Sequence, residues 1–219
     1  MKKENIHSRL FRAHPWHGVS IGKDFPNIIT VYIEIDPTDS LKYELDKNTG
    51  ILKVDRPQRF SNSVPALYGM IPQTLCHENV AELSREKTGY KQIKGDYDPL
   101  DICVLAEKNA FHADILLKAV PIGGLRMIDG DEADDKIIAV LERDPIYGNW
   151  QNIDDCSKPI LERLKHYFIT YKAIPEEGKK TSQEITHVYD KEEALDVIRR
   201  SHKDYKKDYK EYYDAFKAL

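Results

Sequence analysis

The apolar residues of this chain come in two regimes, and the switch between them limits the folds open to it. Up to residue 141 they form short runs between turn signals: Asn27 to Ile35, Leu41 to Leu45, Gly50 to Val54, Ile102 to Ala106, Ile115 to Ile122 and Lys136 to Leu141. Runs of this kind, β-branched or alternating and too short for helices, predict strands. Asp46-Lys47-Asn48-Thr49-Gly50 joins two of them as a hairpin. Later the spacing changes to threes and fours. Ile160, Leu161, Leu164, Tyr167 and Phe168 mark one helical face; Ala194, Leu195, Ile198, Tyr205, Tyr209, Tyr212 and Phe216 mark another. Strands first and helices later, without βαβ alternation, predict an α+β chain, mainly β with flanking helices, in which five or six short strands make a small barrel.

A length of 219 residues suits one domain, 1–219, with a carboxyl-terminal helix near 190–219. Pro175 to Lys180 reads as an exposed turn rather than a linker, and no internal repeat is visible. The formal charge of −4, from 33 basic and 37 acidic residues, gives no field that would gather nucleic acid or an anionic membrane. Met1 to Leu10 is charged rather than apolar, and no run approaches the ~20 residues of a membrane span, so the expectation is a cytoplasmic protein. Cys76, Cys103 and Cys156 are odd in number and far apart, which predicts reduced structural thiols, Cys103 in the core.

The chemistry is concentrated in Asp96-Tyr97-Asp98-Pro99-Leu100-Asp101, three carboxylates beside a stiffening proline and just ahead of a strand. Carboxylates this close repel one another unless hard cations lie between them, and Mg²⁺ is commonly held by a few carboxylates plus phosphate oxygens. A second acidic run, Asp129 to Asp135, follows one strand-length segment later. An EF-hand loop fails, because Leu100 stands where an oxygen ligand is needed and Asp101 where the glycine belongs. A phosphatase forming an aspartyl phosphate would carry such a pair after a strand within βαβ units, and here the cluster precedes one. A solvated acidic turn is the ordinary meaning of such a hexapeptide. Against it, Lys42, Arg56, Lys136 and Lys172 stand at the ends of predicted elements beside Tyr43, Tyr68 and Tyr171, a supply of cations and hydroxyls for phosphoryl oxygens. A non-enzymatic OB-type binder using the acidic loops for Ca²⁺ would favour a basic, aromatic face and net positive charge, which this chain lacks.

These residues, in order, resemble those of soluble family I inorganic pyrophosphatases. The resemblance runs through Ile33-Glu34-Ile35, Lys42 to Lys47, Gly50, Val54-Asp55-Arg56, Tyr68-Gly69, the signature Asp96 to Asp101, Met127-Ile128-Asp129, Asp134 to Val140 and Tyr171-Lys172. The segment His14-Pro15-Trp16-His17 is similar to the plant-like branch, with both histidines read as structural. The resemblance implies a five-stranded OB-type barrel that hydrolyses pyrophosphate with Mg²⁺, by direct attack of metal-activated water with Asp98 as general base. It implies Asp96, Asp101, Asp129 and Asp134 as metal ligands and Lys42, Arg56, Tyr68, Lys136, Tyr171 and Lys172 as contacts to the phosphoryl groups. Glu34 and Glu44 would line the same cavity. Two positions depart from the family pattern: Val64, where a tyrosine is common, and Gly130, where an acidic or amide residue is common. Residues 73–93 form a longer connection than the family's, an expected insertion with helix-forming character from Glu78 to Arg85. The tyrosine-rich carboxyl-terminal helix has apolar surface to cover, which favours a homo-oligomer.

Overall fold

Fifteen residues with period-two and then mixed apolar character, Ile115–Asp129 (β7), form the strand around which the others assemble. In the computed structural model, which describes residues 12–108, 112–172 and 182–218, the earlier strands are Ile29–Ile35 (β1), Leu41–Leu45 (β2), Leu52–Pro57 (β3), Leu67–Met70 (β4), Lys94–Gly95 (β5) and Asp101–Leu105 (β6). Glu132–Ala133 (β8), Lys136–Leu141 (β9) and Gln183–Asp190 (β10) follow. The helices are Glu78–Thr88 (α1), Lys158–Thr170 (α2), Lys191–Asp208 (α3) and Lys210–Lys217 (α4), with a 3₁₀ turn at Ile153–Asp155.

The expected five-stranded OB-type barrel is corrected by the pairing. One sheet has eight strands, in the order β1-β4-β6-β9-β7-β8-β5, with β10 paired to β7 and an additional β1–β7 pairing. The hairpin β2-β3 forms a separate two-stranded sheet. The physical reason lies in β7, which continues seven residues past the expected end at Ile122. Its first part pairs with β1, its middle with β9 and its last seven residues with β10. A register shift between Pro121 and Gly123 bends the strand between these partners. Gly123 and Gly124 look like a break in sequence, but they are required by close packing. A Cβ on Gly124 would lie 2.4 Å from the Tyr189 ring, and one on Gly123 would lie 2.6 Å from the Tyr189 carbonyl.

Two apolar clusters flank the sheet. Leu164, Tyr167 and Phe168 of α2 pack with Cys103, Leu125, Met127 and Val140 on one side. Ala194, Val197 and Ile198 of α3 and Val80 and Leu83 of α1 pack with Ile33, Ile102 and Ile137 on the other. Each fully buried Val, Leu or Ile adds about 1.5 to 3 kcal/mol relative to exposure. The carboxyl-terminal stripe falls on two helices joined at Tyr209, and the rings of Tyr205 and Tyr209 meet Trp16 at 6.4 and 5.1 Å. All three cysteines are free and buried. No helix among the described residues is long and apolar enough to cross a membrane.

Candidate active site

Strands of both sheets and the loops that join them place polar residues around one cavity of about 380 Å³. β1 contributes Glu34, β2 Lys42 and Glu44, β3 Arg56, and β4 Tyr68. Asp96 and Asp98 come from the loop before β6, Asp101 from its first residue, and Asp129 from the end of β7. Asp134 precedes β9, Lys136 begins it, and Tyr171 and Lys172 follow α2. All thirteen residues expected at a site therefore meet, although 138 positions separate the first from the last.

The acidic loop is held by short-range and long-range hydrogen bonds. Tyr97 adopts a left-handed φ of 61°, which lets Asp96 and Asp98 both face the cavity while Tyr97 is exposed. The Asp98 amide donates to Asp96 Oδ1 at 2.9 Å. From the segment expected as an insertion, the Cys76 amide donates to the Asp98 carbonyl at 2.8 Å. Thr74 Oγ1 accepts from the Leu100 amide at 2.9 Å. The segment thus grips the acidic run along its backbone. Its helix α1 is tied in turn to α3, where the fully buried Asp204 carboxylate accepts from the amides of Asn79 and Val80.

Cations and carboxylates alternate across the cavity. Lys136 is buried and pairs with both Asp101 and Asp134. Burial alone would lower its pKa, but those two carboxylates carry it well above the ordinary lysine range. The Tyr68 hydroxyl donates to Asp101 Oδ2 at 2.5 Å. Lys172 pairs with Asp129, whose other oxygen accepts from Gln183 at 2.8 Å. Burial works to raise the Asp129 pKa, yet Lys172 outweighs it and the carboxyl lies below its usual range. Lys42 donates to Asp55 at 2.8 Å and to Glu44 at 3.3 Å.

Two carboxyls lack such compensation. Burial, then repulsion from Asp134 and Asp101, pushes the Asp96 pKa up to about 8. Burial, then repulsion from Asp101, pushes Glu34 up to about 8, although Glu34 accepts the Leu45 amide at 2.7 Å. Burial also holds Asp134 above the ordinary carboxyl range. A concentration of under-neutralised oxygen donors of this kind favours an added hard cation.

The cavity also has members that were not picked out for it in sequence, Lys47, Asp55, Glu132 and Trp16 among them, and it includes Tyr43, one of the three tyrosines singled out as hydroxyl donors. Asp55 and Arg56 are adjacent, so simple alternation would send them to opposite faces. The pairing Lys42↔Arg56 is followed by Tyr43↔Val54, which leaves Asp55 as the extra residue of a bulge and lets both side chains reach the cavity. Lys47 and Asp55 were visible only as members of motifs. Val64 is wholly buried among apolar neighbours. Gly130 has a φ of 65° and open space where a Cβ would stand. His14 and His17 lie outside the cavity lining, His17 against the Tyr205 hydroxyl at 2.9 Å.

A family model described as inorganic pyrophosphatase matches residues 31–206. This chain belongs to the inorganic pyrophosphatase family. It is 54% identical over 196 residues to an inorganic pyrophosphatase of Chlamydia trachomatis, covering 88% of this chain and 94% of that one. It is 38% identical over 168 residues to a soluble inorganic pyrophosphatase of Zea mays, covering 77% and 70%. Among solved structures, the inorganic pyrophosphatase of Helicobacter pylori is 32% identical with a TM-score of 0.69, covering 86% of this chain and 98% of that one. That of Thermus thermophilus is 27% identical with a TM-score of 0.72, covering 88% and 99%. The span matched to the inorganic pyrophosphatase family contains every one of the thirteen cavity residues, from Glu34 to Lys172.

The donor set fits the Mg²⁺ implied by an inorganic pyrophosphatase. It consists of carboxylate oxygens, and the Asp96 pKa, pushed up to about 8 by burial and by Asp134 and Asp101, marks a carboxyl whose charged form is under-neutralised. Among the described residues no group of three or more His, Cys, Asp or Glu side chains stands close enough together to hold a metal ion by itself. An open ring of carboxylates suits Mg²⁺, which keeps several waters and takes one or two carboxylates together with substrate oxygens.

Proposed function

We propose that this cavity hydrolyses inorganic pyrophosphate to two phosphates, with Asp98 as general base. The carrying observation is the convergence of six potential phosphoryl contacts and four metal-ligand carboxylates on one cavity of about 380 Å³. Asp96, Asp101, Asp129 and Asp134 would hold Mg²⁺. The ion supplies positive charge to the phosphoryl oxygens and acidity to the attacking water.

Pyrophosphate resists water because its negative charge repels nucleophiles and phosphate is a poor leaving group. Lys42, Arg56, Tyr171 and Lys172 lie on the side of the cavity built by the β2-β3 hairpin and the end of α2. There they would offset charge on the leaving phosphate, as fixed donors stabilise charge that develops in a transition state. Tyr68 and Lys136 face the other phosphoryl group beside the carboxylates that now hold them. Asp98, about half exposed and paired through one oxygen with Lys47, would accept a proton from the attacking water and pass it outward. Glu34 and Glu44 complete the wall. The same proposal includes a homo-oligomer, since α4 buries none of its residues within the chain and leaves Tyr212 54% exposed. Light scattering coupled to gel filtration measures that.

The decisive assay is phosphate release from pyrophosphate and from p-nitrophenyl phosphate, with Mg²⁺, with Ca²⁺ and with chelator. Release from pyrophosphate alone, with Mg²⁺ alone, is expected. Preferential release from p-nitrophenyl phosphate would refute the proposal.

A further inference from the structure

Asp134, Asp135 and Lys136 are consecutive, but the start of β9 sends them two ways. Asp134 and Lys136 line the cavity. Asp135 turns into the interior, where it is 1% exposed and accepts from Nη1 of Arg126 at 2.5 Å. Arg126, on β7, is fully buried. Its Nη2 donates to Glu193 of α3 at 2.8 Å, and its guanidinium lies 5.1 Å from the centre of the Tyr189 ring. Glu193 also takes Lys87 of α1 at 2.7 Å.

As a stabilising device this pair is poor. Arg126 Nε, Asp135 Oδ1 and the Tyr189 hydroxyl are buried with no hydrogen-bond partner among the described residues. A buried ion pair that leaves polar atoms unmet gains little over apolar side chains of the same volume, and replacing it can even stabilise. An apolar pair cannot supply direction. A planar guanidinium gripping two carboxylates fixes where β9 begins, and therefore where the residues on either side of Asp135 point.

We propose that Arg126 and Asp135 are positioning residues: held from behind by the guanidinium, Asp135 aims the Asp134 carboxylate and the Lys136 ammonium into the cavity. This rests on the reading of Asp134 as a Mg²⁺ ligand and Lys136 as a phosphoryl contact. The role parallels the outer partners of metal ligands, which orient donors without touching the ion.

The test is the double variant Arg126→Met with Asp135→Leu, which removes both charges together and leaves apolar side chains in their place. Glu193 retains Lys87 and a partly exposed site. The melting temperature is expected to stay near that of the wild type. Mn²⁺ affinity, measured by electron paramagnetic resonance without pyrophosphate, should fall roughly tenfold, as should kcat for pyrophosphate at saturating Mg²⁺. Wild-type Mn²⁺ affinity and kcat in a stable double variant would overturn the proposal. If the double variant does not fold, Arg126→Lys serves, because it keeps the charge and loses the two-pronged grip. The same losses are expected there, and their absence is equally fatal. Wild-type protein that releases no phosphate from pyrophosphate would sink the functional reading separately, while the Mn²⁺ titration still decides the positioning.

Discussion

The ammonium of Lys47 pairs with the carboxylate of Asp98, joining the turn between β2 and β3 to the six-residue acidic loop. Both side chains are about half exposed, so the pair adds at most about 1 kcal/mol to stability. Its consequence is orientation of the proposed base. Lys47→Ala should leave urea denaturation within about 1 kcal/mol of wild type and lower kcat several-fold. An unchanged kcat would show that Asp98 is placed by its loop alone.

Asp98→Asn should keep the fold and most Mg²⁺ binding while losing roughly 10²- to 10⁴-fold in rate, the contribution of a positioned general base. Single-turnover hydrolysis in ¹⁸O-labelled water should put label into phosphate on the first turnover. Label in an Asp96 or Asp98 carboxylate would instead reveal a covalent route.

For Asp134→Asn, activity should require more Mg²⁺, because an amide is a poorer donor to a hard cation than a carboxylate. A wild-type Mg²⁺ titration would remove Asp134 from the ligand set.

Glu34 gives a pH prediction with a definite sign. Its folded pKa, about 8, lies above the ordinary 4.5, so the folded state binds more protons than the unfolded state between those values. Stability therefore falls as pH rises through that window, by up to about 1.4 kcal/mol per pH unit for this one group. Glu34→Gln removes the proton uptake, and its amide oxygen can still accept the Leu45 amide. In chelator, the variant should be more stable than wild type at pH 8 and show a flatter dependence from pH 5 to 8. Denaturation curves with the same slope as wild type would mean that Glu34 titrates normally.

Asp204→Ala should cost about 2 kcal/mol or more, because several amide donors at the start of α1 lose a buried charged acceptor. Hydrogen exchange should speed up first in α1 and then in the Cys76–Asp98 contact. Loss of protection spread evenly over the whole sheet would argue against a local clamp.

The site was more legible in the sequence than the fold was. Aspartates, lysines and tyrosines keep their chemistry wherever they stand, so Asp96, Asp101, Lys136 and Lys172 could be singled out before their distances were known. The strand order depends on geometry that residue types disguise. β4 is four residues long and contains Gly69, whose missing Cβ would stand 2.0 Å from the Tyr32 carbonyl. The Gly123-Gly124 pair, a turn signal by composition, lies within the longest strand. The second half of β7 and its partner β10 were both missed in the patterning, which gave five or six short strands, and the five-stranded barrel implied by the resemblance has no place for that pairing. Asp55 escaped for a related reason, since a bulge is a property of two strands together. Helix α2 was readable because its buried face, Leu164, Tyr167 and Phe168, keeps a regular spacing.

The clamp on α1 also has a temporal side. Asn79 and its acceptor Asp204 are 125 residues apart in the chain, so a growing polypeptide leaves the ribosome with its acidic loop already made and the brace for that loop still unsynthesised. Until Asp204 has been made, the Asn79 and Val80 amides lack the carboxylate that accepts them in the folded chain. The brace can therefore close only after Asp204 has been made, 125 residues later than the helix start that it holds.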